Sequence, residues 1–581
     1  MIEYNEALER VISYIEKRER VKSINNYRKK KLNLPEFLDI WEITTEIIDQ
    51  RNKIKSIRLH IIFFPDFPLS FPKILLSKDD FDRYKYIPHL QVDRMLCIFQ
   101  NNSEPNINLP EKVVEEAIRR TKNIIEEGLK GKSNDKDYED EFEAYWDSNY
   151  SNKESVNKSF LLLHDKPLKQ NFDLVSLETP VNKFKYIIHQ NEDIALKFKA
   201  YLNDQNINYT ESTGFLIQNF DLFTEPPFNK TNKELFNAIK KLGDKTYKEY
   251  VSFINQKGDS KLFLFTKNIN GNLRYFGWYH SPAKSSIKGF RGKSLNNFKT
   301  LSTIQSSDRI NRISPQVYNN KRLTKRSAGE VKENRPNKFA LAGLGSVGSN
   351  LIHYLNSIKD AEFKLIDYDS LELENIGRHY LGFKYLNYKK TKALKDFLTH
   401  FSPIQKVETR EKSIVQVVKD EPKFINESDF LFIAIGESNI EYWISDAIDK
   451  GIIIKPTFFI WVEPYLLGGH CIYINPKQNN FISYFTKKGF FKFNVIGDYN
   501  NEVLSLKEAG CQSNYTPYSS NNIQLFLGNI YSKILEIINS DDMESKCFTW
   551  VGDKSIANSL NIKLSEYSLN IDSNTLINNV L

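Results

Sequence analysis

The sequence predicts a multidomain protein in which an α+β domain at the N terminus precedes an α/β domain at the C terminus. In residues 37–76, strand-like runs lie between a helical segment and a second helix, which is typical of an antiparallel α+β domain. In residues 338–367, two apolar runs flank a glycine turn and a helical pattern, which is the order of a parallel βαβ unit. The domains expected from these patterns are 1–145, a middle α+β region at 146–300, and 301–581.

The N-terminal elements follow from apolar periodicity. A helical segment is predicted from Ile2 to about Lys30, strands follow near 37–48, 55–64 and 72–77, and a helix is predicted at 111–127. The polar and charged residues 128–141 are expected to form a connector. The middle region mixes short strands, such as 160–164, with a helix near 233–242, and its fold is not predicted.

Three glycines at the start of the C-terminal domain predict a phosphate-binding turn. They follow a short apolar run and precede a helical pattern, in the order that a G-x-G-x-x-G motif requires. Gly343 permits the tight turn, Gly345 lets a phosphate approach the backbone, and Gly348 lets the helix pack on its strand. Asp367 ends the next strand, where a carboxylate can accept hydrogen bonds from ribose hydroxyls.

The residues after Asp367 indicate a triphosphate as the ligand. Asp369, Asn375 and Arg378 follow it, and then three lysines, at 389, 390 and 392. An arginine and a lysine close behind the ribose acid suit a triphosphate, because charge at the α-phosphorus grows during attack. A dehydrogenase or a non-catalytic nucleotide-binding domain is the alternative interpretation.

This arrangement resembles the adenylating domain of the ThiF-like and ubiquitin-activating enzymes. The resemblance implies a Rossmann-like fold and ATP as cofactor, with Asp367 holding ribose, Asn375 and Arg378 holding phosphates, and Lys392 completing the site. The family also places an Asp for Mg²⁺ after a later strand. Here Gly436 occupies that position, and the adjacent Glu437 is the candidate Mg²⁺ ligand.

The N-terminal segment resembles ubiquitin-conjugating enzymes. It has a Pro-rich strand ending at 66–76, a loop with Pro88-His89, and a cysteine after an apolar residue. Cys97 falls where the family has its transfer nucleophile, and Arg94 and His89 are near enough in sequence to assist it. No Asn follows Pro88-His89, so the oxyanion group is assigned only by guess, to Asn101 or Asn102. A buried spectator cysteine is the alternative.

The sequence separates the other three cysteines by context. Cys511 lies in a polar, Gly-containing stretch that predicts a loop, and the resemblance assigns it the activating thioester; a spectator thiol is the alternative. Cys471 and Cys547 are predicted to be packed in the core. None of the cysteines forms C-x-x-C, so no structural zinc is expected. His280 and Arg291 are candidates for a functional surface in the middle region, where a structural use of the aromatic residues is favoured.

Composition excludes several classes. The chain has 581 residues, 27% of them charged, and a net charge of +8, which is modest for this length and does not indicate direct nucleic-acid binding. No apolar stretch is long enough to span a bilayer, and no secretory signal is evident at the first residues, so a cytoplasmic protein without membrane contact is expected.

Together these segments resemble bacterial activating–conjugating fusions of CBASS anti-phage operons. The resemblance implies ATP-dependent adenylation of a partner's C-terminal carboxylate, a thioester on Cys511, transfer to Cys97, and conjugation to an amine of a target protein. It implies a cGAS/DncV-like nucleotidyltransferase as partner, with a ubiquitin-like protein as the main alternative, and a homodimer. Sulfur-carrier or peptide adenylylation without conjugation, and nucleotide sensing without turnover, remain alternative functions.

Overall fold

A computed structural model describes most of the chain, and its contacts divide the molecule into two compact units. One contains Met1–Gln190 and Asn208–Val317, and the other contains Asn191–Ile207 and Tyr318–Leu581. The described residues are 3–99, 103–131, 134–148, 156–164, 167–190, 192–218, 220, 228, 230–256, 261–269, 271–280, 296–318, 336–358, 360–507, 514–515, 517–540 and 544–580.

The first unit begins with an antiparallel sheet in the order β1-β2-β3-β4. Its strands are Arg20–Ser23 (β1), Asp39–Ile48 (β2), Ile54–Phe63 (β3) and Lys73–Leu76 (β4). In β2, the residues Ile43, Thr45 and Ile47 are buried while their neighbours are more exposed, as the two-residue period of a half-covered sheet requires. The predicted antiparallel α+β domain is confirmed.

Helices around this sheet are Tyr4–Ile15, Asn26–Lys31, Lys78–Tyr84 and Pro110–Lys130. The first of them buries Ala7, Val11 and Ile15, a spacing that places one apolar stripe on the core. The prediction of a single helix from Ile2 to about Lys30 is wrong. The helix ends at Ile15, and β1 pairs with β2 through contacts such as Val21 with Ile43, because the sheet edge supplies backbone hydrogen bonds to this charged segment.

Two short helices follow, Asn134–Asp140 and Phe142–Asp147, in the segment predicted to be a connector. The polar composition concealed three buried aromatic residues, Tyr138, Phe142 and Trp146, at a spacing of four residues. Because side chains four apart share one face of a helix, these rings anchor the segment in an apolar core. Trp146 also donates a 2.9 Å hydrogen bond to the Ile313 carbonyl.

The middle of the first unit is an eight-stranded mixed sheet in the order β11-β10-β9-β8-β6-β7-β5-β12. Its strands are Phe160–Leu163 (β5), Asn171–Val181 (β6), Phe184–His189 (β7), Tyr209–Ile217 (β8), Lys261–Ile269 (β9), Asn272–His280 (β10), Asn311–Ile313 (β11) and Gln316–Tyr318 (β12). Helices Asn232–Lys241 and Asp244–Asn255 pack against it over an aromatic core that includes Phe263, Phe265 and Trp278.

The second unit holds an eight-stranded sheet in the order β15-β14-β13-β16-β17-β18-β21-β22. Its strands are Lys338–Ala342 (β13), Glu362–Ile366 (β14), Val407–Arg410 (β15), Phe430–Ile433 (β16), Thr457–Val462 (β17), Gly468–Ile474 (β18), Lys546–Val551 (β21) and Thr575–Asn579 (β22). The first five in this order are parallel, and the remaining pairings are antiparallel. A two-stranded sheet pairs Leu506–Lys507 (β19) with Asn514–Tyr515 (β20).

Helices cover both faces of this sheet, so the predicted α/β fold is confirmed. They are Glu192–Asp204, Ser346–Leu355, Lys390–Phe401, Ile414–Asp420, Pro422–Asn426, Ser438–Asp449, Ser520–Ile538 and Lys554–Ser559. The chain reverses its strand order at β13, which has β14 on one side and β16 on the other. In open α/β sheets, ligands bind beyond the carboxyl ends of the strands at such a switch point. This is where the predicted phosphate turn begins.

The helix Glu192–Asp204 lies outside the C-terminal stretch of sequence but belongs to the second unit. Asp204 forms an ion pair with Lys395 at 2.9 Å, and Gln205 donates to Asp396 at 3.2 Å, both on the helix Lys390–Phe401. Across the described residues, none of the helices combines the length and the apolar character that crossing a bilayer demands.

Candidate active site

The glycine turn follows β13 and leads into the helix Ser346–Leu355. Gly343 has a φ of +85°, and its amide donates to the Ile366 carbonyl at 3.1 Å. A β-carbon on Gly348 would lie 1.9 Å from the Gly343 carbonyl oxygen, so the helix can approach its strand only with glycine at that position. A β-carbon on Gly345 would meet nothing within 4 Å. The helix N terminus therefore faces open space, where free N–H groups favour an anion.

Asp367 connects the end of β14 to this turn. One carboxylate oxygen accepts a 2.7 Å hydrogen bond from the Leu344 amide, and the other accepts from the Asp369 amide at 2.8 Å. The side chain is largely buried. Each oxygen keeps a further acceptor site, so the arrangement allows Asp367 both to fix the turn and to receive ribose hydroxyls.

The loop after Asp369 brings Asn375 and Arg378 beside the same helix. The Asn375 side chain accepts from the Glu372 amide at 3.1 Å and closes a short 3₁₀ turn, Leu373–Asn375. The buried Asn350 amide donates to the Ser346 carbonyl at 2.7 Å and to the Arg378 carbonyl at 3.0 Å. The helix that follows the glycine turn therefore holds the arginine loop.

Tyr518 makes a second connection to this place. The guanidinium carbon of Arg378 lies 5.1 Å from the centre of the Tyr518 ring, and the Tyr518 hydroxyl lies 2.7 Å from the Ser346 hydroxyl. Tyr518 immediately precedes the helix Ser520–Ile538. Sequence analysis did not identify it, because a tyrosine in a polar stretch carries no motif.

The three lysines take different positions. Lys392 forms a 2.8 Å ion pair with Glu411 and is largely exposed. Lys390 is buried at the start of the helix Lys390–Phe401 and lies 3.1 Å from Asp369, while Lys389 donates to the Tyr368 carbonyl at 2.8 Å. The lysine in contact with the Asp367–Asp369 segment is thus Lys390, a position that sequence analysis noted without assigning it a role.

His379, next to Arg378, is a further residue that the sequence did not reveal. One ring nitrogen lies 2.9 Å from the Leu344 carbonyl oxygen, and the other accepts from the Leu381 amide at 3.0 Å. Burial lowers the pKa of this imidazole to about 4. A neutral His379 therefore ties the arginine loop to the glycine turn, with the N–H donated to Leu344.

Two glutamates lie at the start of the helix Ser438–Asp449, after β16. Glu437 directly precedes the helix, behind Gly436 at a φ of +75°. Glu441 is buried one turn later, and one of its carboxylate oxygens has no hydrogen-bond partner. Burial, together with the charge of Glu437, raises the pKa of Glu441 to about 7.

Three or more His, Cys, Asp or Glu side chains do not gather into a metal-binding group anywhere in the part of the chain that is described. Mg²⁺ bound with a nucleotide is usually held by one or two carboxylates and the phosphates, so a complete protein cage is not required. Glu437 and the orphaned oxygen of Glu441 fit that requirement, and they are the residues that would hold such an ion. Bound there, Mg²⁺ would neutralise phosphate charge.

In the first unit, Cys97 is an exposed thiol on a tight loop. An antiparallel bridge joins Leu90 to Leu96, and the Cys97 amide donates to the His89 carbonyl at 2.9 Å. Partial burial and the negative charge of Glu141 raise the pKa of the thiol. Asn101 and Asn102, the guessed oxyanion residues, lie outside the described residues.

A cavity of about 360 Å³ opens beside this thiol. Its lining residues are Pro88, His89, Cys97, Ile98, Arg120, Asn123, Ile124, Glu127, Gly128 and Asp137. Asn123 is the side-chain amide in this lining, and it comes from the helix Pro110–Lys130. A reactive thiol at the wall of a concave polar cavity is the usual setting of a transfer nucleophile.

His89 forms a hydrogen-bonded group with two residues of the short helices. Its Nδ1 lies 3.0 Å from a Glu141 oxygen, and its amide donates to the Tyr145 hydroxyl at 2.7 Å. The Tyr145 hydroxyl in turn donates to the other Glu141 oxygen at 2.9 Å. The hydrogen bond to Glu141 raises the pKa of His89. Sequence analysis assigned Glu141 and Tyr145 to a connector and missed them.

The remaining predicted residues divide into two groups. Cys471 and Cys547 are fully buried, as predicted, and burial raises the pKa of Cys547 to about 12. His280 is also buried, 2.8 Å from the Tyr250 hydroxyl, and burial lowers its pKa to about 3, so its structural role is confirmed. Cys511 and Arg291 lie outside the described residues.

Comparison with protein families matches both ends of the chain. Residues 41–155 match the model of Prokaryotic E2 family B, and residues 321–496 match that of the ThiF family. The chain joins an E2-like segment to a ThiF-type segment. The resemblance stated for each segment and the Rossmann-like fold of the C-terminal domain are thus confirmed. No curated protein matches the chain.

Solved structures similar to this E2–ThiF fusion include three that cover a little over a third of it. PaaA is 19% identical over 37% of this chain and 60% of its own, with a TM-score of 0.26. E. coli MccB with ATP is 13% identical over 39% and 62%, with a TM-score of 0.26. The Microcin C7 biosynthetic enzyme MccB with N-formylated MccA is 13% identical over 39% and 63%, with a TM-score of 0.26. The fusion therefore spans about three fifths of the length of these chains.

Proposed function

We propose that the second unit adenylates the C-terminal carboxylate of a partner protein with ATP. The observation that carries this proposal is the convergence of the glycine turn, Asp367, Arg378 and Lys390 at one edge of a ThiF-type sheet. Ribose is assigned to Asp367, and the triphosphate to the helix N terminus, Asn375, Arg378 and Lys392. Cations placed beside the phosphates stabilise the charge that develops as pyrophosphate leaves.

The acyl group then passes to a thiol. We assign this step to Cys511, whose sulfur attacks the acyl-adenylate carbon and releases AMP. Tyr518 lies seven residues after Cys511 and touches both Ser346 and Arg378. An extended chain spans at most about 3.6 Å per residue, so Cys511 is within roughly 25 Å of Tyr518. This tether supports a thiol close to the phosphates.

The E2-like segment completes the reaction. Cys97 receives the acyl group from Cys511 by transthioesterification, and an amine of a target protein then displaces Cys97 to form an amide. The exposed position of Cys97 on a cavity, in contrast with the buried Cys471 and Cys547, supports its selection among the described cysteines. Only a thiol that reaches solvent can exchange with a second thioester.

The partner and the biological setting belong to this proposal. We assign a cGAS/DncV-like nucleotidyltransferase as the activated protein, in anti-phage defence of the CBASS type, with the enzyme acting as a homodimer. The support for the partner is the order of an E2-like segment before a ThiF-type segment in one chain. A ubiquitin-like protein is the second candidate substrate for the same chemistry.

The test is ATP–pyrophosphate exchange by the full chain with a purified cGAS/DncV-like nucleotidyltransferase. Exchange should require the partner's free C-terminal carboxylate and should stop when that carboxylate is amidated. A ubiquitin-like protein with and without an amidated C terminus forms the parallel arm. Exchange with neither protein, under conditions where ATP binds, would contradict the proposed substrates.

A further inference from the structure

The hydrogen-bonded group His89–Glu141–Tyr145 lies beside Cys97, and the transfer steps above make no use of it. Glu141 accepts from His89 Nδ1 at 3.0 Å and from the Tyr145 hydroxyl at 2.9 Å. With its Nδ1–H donated to a carboxylate, a neutral imidazole carries its lone pair on Nε2. The group therefore fixes both the orientation and the tautomer of His89.

The backbone holds this imidazole next to the thiol. The Cys97 amide donates to the His89 carbonyl at 2.9 Å, and both residues line the same cavity. His89 has a φ of +62°, and its amide is bound by the Tyr145 hydroxyl at 2.7 Å. A histidine in the left-handed region persists where its surroundings hold it, and such positions cluster at functional sites.

The cavity also carries a charge that selects its ligand. Glu127 and Asp137 contribute carboxylates to the lining, while the lining Arg120 is paired with Glu116 at 2.8 Å. The lining therefore has an excess of negative charge, which attracts a cation to the face beside Cys97. A lysine side chain is such a cation, and it becomes a nucleophile once it loses one proton.

We propose that His89 is the proton acceptor for a lysine-type primary amine that attacks the acyl group on Cys97, with Glu141 and Tyr145 as positioning residues. This inference rests on the proposed function, because it needs an acyl thioester on Cys97. It specifies the acceptor as an alkylamine on a cationic side chain, and it assigns a catalytic role to His89.

The step balances in atoms and electrons. The lysine ammonium first releases one proton to solvent, and its nitrogen lone pair then bonds to the thioester carbon as the carbonyl π electrons move to oxygen. His89 Nε2 takes a proton from the attached nitrogen. The carbonyl re-forms, the carbon–sulfur bond breaks, and the imidazolium returns its proton to the departing thiolate of Cys97. The products are an amide and a thiol.

The experiment measures single-turnover discharge of the Cys97 thioester in the full chain. The enzyme is charged with ATP and partner, ATP is removed, and the thioester is mixed with Nα-acetyl-lysine or with hydroxylamine. Hydroxylamine is neutral and attacks thioesters without a base, so it reports whether the thioester is intact and accessible. His89→Gln should discharge to Nα-acetyl-lysine about 10²-fold more slowly, with hydroxylamine discharge unchanged.

The positioning role of Glu141 has its own readout. Discharge to Nα-acetyl-lysine should rise with pH as His89 loses its proton. The groups that act on His89 are Glu141 and Asp137, and both raise its pKa. Glu141→Gln removes the larger of these effects, so the rising limb of the pH profile should move to lower pH. A merely structural role of Glu141 would leave the limb in place.

The outcomes separate this inference from the proposed function. A wild-type chain that forms no thioester on Cys97 contradicts the proposed function. A thioester that His89→Gln discharges to Nα-acetyl-lysine at the wild-type rate overturns the role of His89 alone. Equal slowing with both nucleophiles also overturns it, because it shows a structural defect, and Glu141→Gln then tests the imidazole in a chain that keeps it.

Discussion

Arg378 carries the positive charge that the proposed adenylation step requires in the loop after β14. Its main chain is held by Asn350, and its guanidinium lies over the ring of Tyr518. The two contacts fix the direction of a long side chain before ATP arrives. An orientation fixed in advance is what makes such a charge effective in a transition state.

Arg378→Ala should lower the rate of ATP–pyrophosphate exchange by about 10²–10³, because it removes a charge that stabilises the transition state. Exchange is measured with saturating partner protein. Arg410→Ala is the matched control, since Arg410 pairs with Glu421 on the edge strand β15 and should leave exchange unchanged. Normal exchange in the Arg378 variant would remove this residue from the site.

The lysines allow a finer comparison. We expect Lys392→Ala to lower the rate of exchange through loss of phosphate charge. Lys390→Ala should instead raise the KM for ATP, because Asp369 loses the ion partner that lies 3.1 Å away. Steady-state exchange at varied ATP distinguishes the two effects. If Lys392→Ala exchanges at the wild-type rate while Lys390→Ala does not, the phosphate role belongs to Lys390.

Glu441 links stability to pH. Burial raises the pKa of its carboxyl to about 7, so the folded protein keeps a proton that the unfolded chain releases at lower pH. Its contribution to the free energy of unfolding is fully present below about pH 4.5 and is lost as pH rises through about 7, by no more than about 3 kcal/mol. The apparent melting temperature should fall more steeply with pH in the wild type than in Glu441→Gln. Parallel curves would show that Glu441 does not titrate in this range.

At the scale of elements, the glycine turn and the helix Ser346–Leu355 form one device for holding an anion. The turn needs glycine for two separate reasons. At Gly348 the obstacle is protein, since a β-carbon would lie 1.9 Å from a carbonyl oxygen, whereas at Gly345 the space is open. One position therefore serves packing, and the other serves the ligand.

Substitution separates these roles. Gly348→Ala should lower the melting temperature and abolish ATP binding together, because the helix must move away from β13. Gly345→Ala should keep the wild-type melting temperature and weaken ATP binding, because its methyl group enters the space of the phosphate. Calorimetric titration with ATP and thermal unfolding measure the two effects. A Gly345→Ala protein that binds ATP normally would place the phosphates elsewhere.

The sequence predicted the second unit well because its signals are local. A glycine turn between an apolar run and a helix, and acids at a strand end, retain their meaning over about thirty residues. The residues that were missed act through contacts distant in sequence. Tyr518 reaches Ser346, Tyr145 reaches His89, and Lys390 was not distinguished from Lys392, because helix geometry and not spacing decides which lysine faces Asp369.

The middle region shows the opposite limit. Its eight strands pair out of chain order, so no local pattern specifies the sheet. The short helices at 134–147 were taken for a connector because most of their residues are charged, although three aromatic rings at a spacing of four carry the packing. Periodicity in short segments is the signal that a compositional reading overlooks.

At the scale of the whole molecule, the two proposed thiol steps predict different failures. Cys511→Ala should still support ATP–pyrophosphate exchange but form no thioester at either cysteine, because adenylation uses only the nucleotide site. Cys97→Ala should accumulate the partner on Cys511 as a thiol-sensitive adduct and form no amide product. Non-reducing gels of the trapped partner measure both states.

The buried cysteines are the controls for this relay. Cys471→Ala and Cys547→Ala remove thiols that lie in the core and should keep conjugation, at a packing cost of about 1–2 kcal/mol. A Cys97→Ala enzyme that still conjugates at the normal rate would reduce the E2-like segment to a binding module. Loss of conjugation in a folded Cys471→Ala protein would contradict the choice of thiols.

The helix Glu192–Asp204 determines how this protein can be divided. It packs on the helix Lys390–Phe401 of the second unit, with Tyr201 against His400 at 5.8 Å between ring centres, yet its neighbours in sequence, β7 and β8, belong to the sheet of the first unit. A truncated polypeptide that starts at residue 318 would lose this cover. A protease cut within residues 319–335 should likewise leave two fragments that co-elute under native conditions, since one of them donates a helix to the other.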